Sequence, residues 1–315
     1  MSMITFDQAT VDGSGAFLVG ELERLDPTLN LPLVGYTWTR DIQMREDVSI
    51  ADDMSSWTHT SFAAAGTGAN PNGKNWVGKD STAIAGVNVD IGKDGNPMNL
   101  WGMELGWTVI ELQSAQQVGR PIDTQKYEGM QLKWQMDNDE QVYIGDASLG
   151  LKGLLNLTGI GLNNAAKTWA LSTPDEIRAS VNAVLSAGWA QSAYSMVPRD
   201  LLIPPEQFAL LSSIIVSSAG NQSLLTYLQT NTICYHQNGV PLNIRAVKWL
   251  KGAGVSGKDR MVAYTNDKKY VRYPLVPMQS VPIQYRGLYQ IVTYYAKMGA
   301  IEPVYKETLS YVDGI

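Results

Sequence analysis

The segment IDTQKYEGMQLKWQMDNDEQVYIGDASLGLKGLLN, residues 122–156, carries the strongest fold signal in this 315-residue chain. Apolar side chains at Tyr127, Met130 and Trp134 recur at a helical spacing among Gln, Lys and Asp. The glycines of residues 150–156 are typical of a turn. The segment therefore predicts a long helix that ends in a glycine-rich turn.

Upstream, the helical pattern spans residues 100–145 and includes Ile110 and Val118. Residues Gly119-Arg120-Pro121 interrupt it. Glycine commonly follows the end of a helix, and proline is accepted in a first helical turn. We therefore expect one long helix that is kinked or briefly broken at this point.

Residues 1–100 differ in character from the helical segment. Residues 1–45 hold isolated apolar clusters and predict an extended arm that becomes ordered by lying on another surface. Residues 63–78 consist of loop-forming residues, 83–91 alternate as a strand does, and 92–97 predict a turn. Because so long an excursion is unusual in a compact enzyme, we expect a projecting hairpin that reaches a neighbouring subunit.

Downstream, residues 166–285 predict a separate α/β lobe. Thr173-Pro174-Asp175-Glu176 forms a capping box with proline at the first helical position. Further helices are expected from Pro204 to a stop at Gly220 and over residues 223–228, and strands over 233–236, 242–247 and 261–265. Residues 284–311 predict long strands that return to the first lobe.

Composition excludes several classes of protein. Charged residues make up 17% of the chain and the net charge is −6, which argues against a broad nucleic-acid surface and predicts weak, nonspecific contact with DNA. With one cysteine, Cys234, an intrachain disulfide is excluded, and we expect a buried thiol. Neither a membrane span nor a signal peptide is predicted, so synthesis in the cytoplasm is expected.

Two segments, residues 68–74 and 252–258, have the glycine and lysine spacing of a phosphate-binding loop. That motif needs Ser or Thr after the lysine to hold magnesium, and Asn75 and Asp259 stand there instead. We expect both segments to be plain glycine turns.

Other candidates for chemistry are equally weak. His59 and His236 lie far apart in sequence, and a two-histidine, one-carboxylate metal site is the less favoured alternative. Glu104 and Glu111 resemble a carboxylate pair only superficially, and we expect solvated or ion-paired roles. The sequence nominates no nucleophile, cofactor or metal, so we expect that the protein is not an enzyme.

The order of these elements resembles that in the major capsid proteins of tailed bacteriophages, which share the Johnson fold with encapsulin shells. Short segments between residues 100 and 315 also resemble those proteins in amino-acid sequence. They are Gly150-Leu151-Lys152-Gly153-Leu154-Leu155-Asn156, Thr168-Trp169 leading into Pro174-Asp175-Glu176-Ile177, Asp200-Leu201-Leu202-Ile203-Pro204-Pro205, Lys258-Asp259-Arg260-Met261-Val262-Ala263-Tyr264 and Asp313-Gly314-Ile315.

The resemblance implies an α+β fold with the divisions of that family. These are an N-terminal arm (1–45), an extended E-loop hairpin (46–100), a peripheral domain with a long spine helix (101–165), an axial α/β domain (166–285) and returning strands of the peripheral domain (286–315).

It also implies a structural protein of the virion, made in the bacterial host's cytoplasm. Such subunits form pentamers and hexamers of an icosahedral head around double-stranded DNA, with portal, scaffold and cement proteins as further partners. We expect Trp57, Trp76 and Val77 to anchor contacts between subunits. The alternatives are an encapsulin-like nanocompartment shell, a soluble α/β enzyme, or a phage tail or decoration protein.

Overall fold

The computed structural model of the chain describes residues 32–64, 79, 87–118, 122–216 and 220–315. Helices and strands are mixed along these residues, as the sequence predicts. The helices are α1 Trp38–Asp41, α2 Val109–Val118, α3 Ile122–Tyr143, α4 Pro174–Gln191, α5 Pro205–Ser213, α6 Leu224–Thr230 and α7 Ile233–Asn238. The strands are β1 Met44–Arg45, β2 Met54–Ala64, β3 Val87–Pro97, β4 Asn99–Thr108, β5 Gly161–Asn164, β6 Asp200–Ile203, β7 Ile215–Val216, β8 Gln222–Ser223, β9 Asn243–Ala246, β10 Arg260–Tyr264, β11 Val271–Ser280, β12 Gln284–Arg286, β13 Tyr289–Met298, β14 Glu302–Pro303 and β15 Ser310–Asp313.

The expected hairpin is formed by β2 and β3, which pair antiparallel from Met54 opposite Pro97 to Ala64 opposite Val87. The prediction of a turn over residues 92–97 is wrong, because these residues belong to β3. Their backbone groups pair with the base of β2, and this long-range ladder outweighs the local turn preference of Gly and Asn.

The large sheet has the strand order β1-β11-β13-β12, with β4 on the other side of β13 and β14 against β11. The prediction that helical structure begins near Leu100 is wrong, because residues 99–108 form β4, which pairs with β13 along its whole length. Its side chains alternate: Leu105 and Trp107 are buried against Met130 of α3, whereas Leu100 and Glu104 are exposed.

The long helix is confirmed. Helix α3 runs over 22 residues, α2 precedes it, and the proposed break at 119–121 lies outside the described residues. Trp134 and Tyr143 of α3 pack in the main core with Trp38 of α1 and Tyr273 of the large sheet. The large sheet and the end of the arm therefore both pack against this helix.

The turn after α3 depends on glycine at one close approach. A Cβ atom on Gly153 would lie 2.4 Å from the backbone of Tyr143, so no side chain fits there. The carbonyl groups of Leu154 and Leu155 accept hydrogen bonds from Tyr311 Oη and the Arg260 guanidinium, at 2.6 Å each. This turn therefore joins the long helix to the second sheet.

The second sheet has the order β5-β15-β10-β6-β9, and α4 packs on it. The capping box is confirmed: Thr173 and Glu176 bond reciprocally at the start of α4. The apolar face of α4, formed by Ile177, Val181, Val184 and Leu185, is fully buried. Helix α6 and strands β9 and β10 confirm three of the other predicted elements.

Two predictions in this lobe are wrong. Residues 233–236 form helix α7, not a strand. A short apolar run does not distinguish the two, and the left-handed Gly239 after α7 closes a helix. The second helix, α5, ends at Ser213 rather than at Gly220, because residues 215–216 pair with 222–223 in a small hairpin.

The returning strands divide between the two sheets. β13 joins the large sheet as expected, whereas β15 lies between β5 and β10 in the second sheet, so its predicted return to the first lobe is wrong. Strand β11, within the range assigned to the axial domain, pairs with β13 in the large sheet. The domain boundaries given above stay predictions.

Candidate assembly surface

The segment 252–258 forms a turn that precedes a strand instead of a helix. The Asp259 carboxylate accepts a hydrogen bond from Gly252 N at 2.9 Å, so this backbone N–H group is not free to bind a phosphate. Residues 260–264 then continue as β10, which offers no helix N-terminus. The other candidate loop, residues 68–74, lies outside the described residues.

The remaining candidates for chemistry lie apart from one another. His59, on β2, lies over Gly92 and 3.7 Å from Asp94, whereas His236 lies on α7. Cys234 is fully buried, and burial raises the pKa of its thiol. Among the residues that the structure describes, none of the His, Cys, Asp and Glu side chains form a cluster that could hold a metal ion.

Glu111 has a structural role at the start of α2. Its carboxylate accepts a hydrogen bond from Thr108 N at 3.0 Å and lies 3.6 Å from Lys126, and these contacts hold its pKa below the ordinary value. Glu104 lies on β4 and has no ion-pair partner within the described part of the chain. The expected ion-paired role is thus confirmed for Glu111.

Among the residues that the structure describes, no helix combines the length and apolar character that a membrane span requires.

The base of the hairpin is held by a buried ion cluster around Glu302. This carboxylate is fully buried; Arg45 lies 3.1 Å and Arg272 2.6 Å from it, and Ser55 of β2 also donates to it. Lys297 adds a contact at 3.0 Å to Asp53, just before β2. The hairpin is therefore fixed to the large sheet at its base by charged groups.

Beyond its base, the hairpin exposes apolar side chains. Val89 is 51% and Ile91 65% exposed on β3. Trp57 lies nearer the base and is 8% exposed, so its own chain covers most of its surface. Trp76 and Val77 lie outside the described residues. The expectation that these three residues contact a neighbouring subunit stays a prediction.

The end of the arm packs into its own chain, between α3 and the second sheet. The Asp41 carboxylate is buried; Tyr143 Oη donates to it at 2.5 Å and Arg245 lies 3.0 Å away. Asp139 of α3 accepts hydrogen bonds from the backbone N–H groups of Thr37 and Trp38. Burial, and then the charge of Asp41, raise the pKa of the Tyr143 hydroxyl far above its ordinary value.

A second exposed apolar group lies at one end of the large sheet. The hairpin of β12 and β13, with Ile283 just before it, carries most of it, and the start of α2 lies beside it because Val109 N donates to Leu288 O. The side chains of this group are largely exposed and apolar or aromatic. They are Ile110, Ile283, Tyr285, Leu288 and Tyr289. Exposed apolar side chains that lie together on a surface are typical of protein–protein contacts.

Sequence reasoning did not find the Glu302 cluster or the Asp41 cluster. Arg45 and Glu302 are separated by 257 positions, and Arg245 and Asp41 by 204. Nothing in the local sequence marks these residues as partners. Arg260 and Asp313, which form a buried ion pair at 2.6 Å, do lie in two of the resembling segments, but their pairing is not visible there.

Comparison with known proteins gives one family and one fold. A sequence model of the major capsid protein family matches residues 73–315. No sequence among curated proteins matches the chain.

Solved structures with a similar fold include capsids and a chain of a named phage. The chain superimposes on the capsid of Myoviridae phage XM1 with a TM-score of 0.77 and 17% identity, over 94% of this chain and 98% of that one. It superimposes on a capsid chain of a native GTA particle with a TM-score of 0.66, 10% identity, and 98% and 99% coverage. For a chain of Mycobacterium phage Adephagia the TM-score is 0.62, the identity 11% and both coverages 99%. At these identities the likeness shows the fold alone.

Proposed function

The chain belongs to the major capsid protein family, and from this premise we propose that it is the shell subunit of a tailed-bacteriophage head. It is a structural capsid protein and not an enzyme. The family match over residues 73–315 carries this conclusion. The Johnson fold over almost the whole chain, shared with the capsid of phage XM1, supports it.

In our proposal, copies of this chain form pentamers and hexamers that close into an icosahedral shell, and the protein resides in the virion. The neighbouring structures described as capsids support assembly from many copies. The low charge of the chain supports it as well, because desolvating charged groups in extensive contacts is costly.

The contacts between copies lie, we propose, on the arm and the hairpin. The hairpin supports this, because its ladder is anchored at the base by Glu302 while Val89 and Ile91 are exposed farther out. A hairpin fixed at one end can be presented to a neighbour at a defined angle. Trp57, Trp76 and Val77 remain the proposed anchors, with Trp57 at the base.

The shell encloses double-stranded DNA with weak and nonspecific contact, as the net charge of −6 suggests. Portal, scaffold and cement proteins are the further proposed partners, and synthesis takes place in the cytoplasm of the bacterial host. The encapsulin-like alternative has weaker support, since the matching family is that of major capsid proteins.

Deleting residues 63–78 tests the role of the hairpin. The deletion shortens the segment that links β2 to β3 but leaves the ion cluster at the base of the hairpin, so the variant should remain soluble and folded while shells are lost. Circular dichroism and negative-stain electron microscopy measure the two properties. A deletion variant that forms normal particles would contradict the proposed role of the hairpin.

A further inference from the structure

Strand β4 lies at an edge of the large sheet. It pairs with β13 along its ten residues, and no other strand of the described chain pairs with its opposite side. An unpaired strand edge presents backbone N–H and C=O groups that can pair with another chain.

The backbone hydrogen bonds show which residues of β4 point their N–H and C=O groups toward β13 and which point them away. Val109 N donates to Leu288 O at 3.0 Å in the register of the β4–β13 ladder. Because residues alternate in direction along an antiparallel strand, odd-numbered residues of β4 face β13 and even-numbered residues face outward. The Gly106 carbonyl agrees with this assignment, since it points away from β13 and accepts a hydrogen bond from Lys126 Nζ at 2.9 Å.

Three outward-facing residues remain without backbone partners among the described residues: Leu100, Gly102 and Glu104. Leu100 is 68% exposed, and Glu104 is exposed without a described ion-pair partner. A Cβ atom on Gly102 would meet Tyr294 O at an ordinary 3.5 Å, so packing within the chain does not require glycine there.

The outer edge of β3 offers the complementary surface. Met98 N donates to Asp53 O in register with the β2–β3 ladder, so even-numbered residues of β3 face β2 and odd-numbered residues face outward. The outward residues Val89, Ile91 and Lys93 are exposed. Lys93 has no described ion-pair partner.

We infer that β3 of one copy pairs antiparallel with the open edge of β4 in a second copy. This inference rests on the proposed function, since it names the surface that the hairpin contacts in the shell. Antiparallel pairing sets outward residues opposite one another with their side chains on one face. In the antiparallel register that sets Lys93 opposite Glu104, Gly95 lies opposite Gly102, and the exposed Ile91 and Leu100 lie on the same face toward the two ends of the paired stretch.

The charges also select this pairing over pairing between identical edges. Two β3 edges paired about residue 93 would bring Lys93 of both copies together, and two β4 edges paired about residue 104 would bring Glu104 of both copies together; neither like-edge pairing forms the Lys93–Glu104 pair, and like charges across a strand pair are destabilising. A contact that joins one surface of a copy to a different surface of the next copy is heterologous. It generates a ring when repeated rotations from one copy to the next return to the first copy. Such a contact suits a shell built from rings of subunits.

Charge reversal tests the pairing. The variants Glu104→Lys and Lys93→Glu should each lower the yield of shells by about tenfold or more, and the double variant should restore it because the opposite charges are re-formed. Sedimentation velocity and electron microscopy of the full-length protein measure the yield. Single variants with the wild-type yield, or a double variant that does not recover, would overturn the inference.

A substitution at Gly102 tests the backbone contact. Gly102→Pro removes an outward N–H that has no described partner within the chain, so the monomer should fold while shells are lost. Gly102→Ala is the matched control, because it keeps the N–H and should form shells. Equal yields from the two variants would contradict the inference but leave the proposed function intact. A wild-type protein that forms no shells would contradict the proposed function itself.

Discussion

The substitution Glu302→Gln tests whether the buried ion cluster holds the base of the hairpin. Glutamine keeps the shape of the side chain and removes its negative charge. Two guanidinium groups, of Arg45 and Arg272, then surround a neutral amide in a site that is fully buried at Glu302. Arg272 loses its ion-pair partner at 2.6 Å, whereas Arg45 keeps Asp47.

The expected loss follows from these contacts. A hydrogen bond to a charged group contributes about 1.5–3 kcal/mol and one between neutral groups about 1 kcal/mol. Two weakened arginine contacts therefore cost about 1–4 kcal/mol. We expect about 3 kcal/mol, where this range overlaps that for a buried pair that loses one partner. Urea denaturation of dissociated subunits, followed by tryptophan fluorescence, measures the change in the free energy of unfolding.

Glu206→Gln is the matched control, because the ion pair of Glu206 with Lys251 is exposed on both sides. Exposed pairs contribute less than about 1 kcal/mol, so this variant should unfold almost as the wild type does. If Glu302→Gln destabilised the protein no more than Glu206→Gln, the cluster would not be what holds the hairpin base.

Three further predictions concern single positions. Asp313→Asn should cost about 3–5 kcal/mol near neutral pH, because it leaves the buried Arg260 guanidinium without its partner. Burial favours a higher pKa for Asp313, but hydrogen bonds from Arg260 outweigh it and lower the pKa, so this stabilisation is present above about pH 4 and is lost as the pH falls through the lowered pKa. Denaturation curves of the wild type and this variant should therefore converge in acid, and a constant difference would contradict the pairing. Gly153→Ala should destabilise by more than about 3 kcal/mol because of the 2.4 Å approach to Tyr143, whereas Gly129→Ala on α3, with open space around it, should stabilise by up to about 1 kcal/mol; thermal unfolding of the two variants would refute the clash if they behaved alike. Thr173→Ala should cost about 1 kcal/mol through loss of the helix cap, and an unchanged melting temperature would refute this.

Elements with local signals were predictable from the sequence. Thr173 and Glu176 are three residues apart, so the capping box and the helix that follows it can be read directly. The spacing of Tyr127, Met130 and Trp134 likewise predicted the long helix. Hydrophobic periodicity is the strongest such signal, and in α3 it is clear from Tyr127 to Trp134.

Elements that depend on distant pairing were not predictable. Residues 92–97 have turn-forming composition but are held in β3 by β2, and residues 99–108 are held in β4 by β13, which is almost 200 positions away. Tertiary pairing of this kind overrides local propensity. For the short run 233–236, the apolar pattern fits a strand and a helix equally, and the structure shows a helix.

The sequence predicted that the candidate assembly surface includes a hairpin, but it did not predict the ion cluster that anchors this hairpin. The composition of residues 46–100 indicated a hairpin, yet Arg45, Arg272 and Glu302 meet only because the fold brings three distant segments together. The open edge of β4 could not be predicted for the same reason. A strand lies at an edge when one of its two sides has no neighbouring strand, and this depends on the whole sheet. Sequence patterns along one segment carry no information about such neighbours.

The assembly state of the purified full-length protein tests the central claim most directly. Sedimentation velocity with negative-stain electron microscopy should show rings of five and six subunits, or closed icosahedral shells of megadalton mass. A protein that stays monomeric at high concentration, with and without the other head proteins of the same phage, would contradict its assignment as the shell subunit.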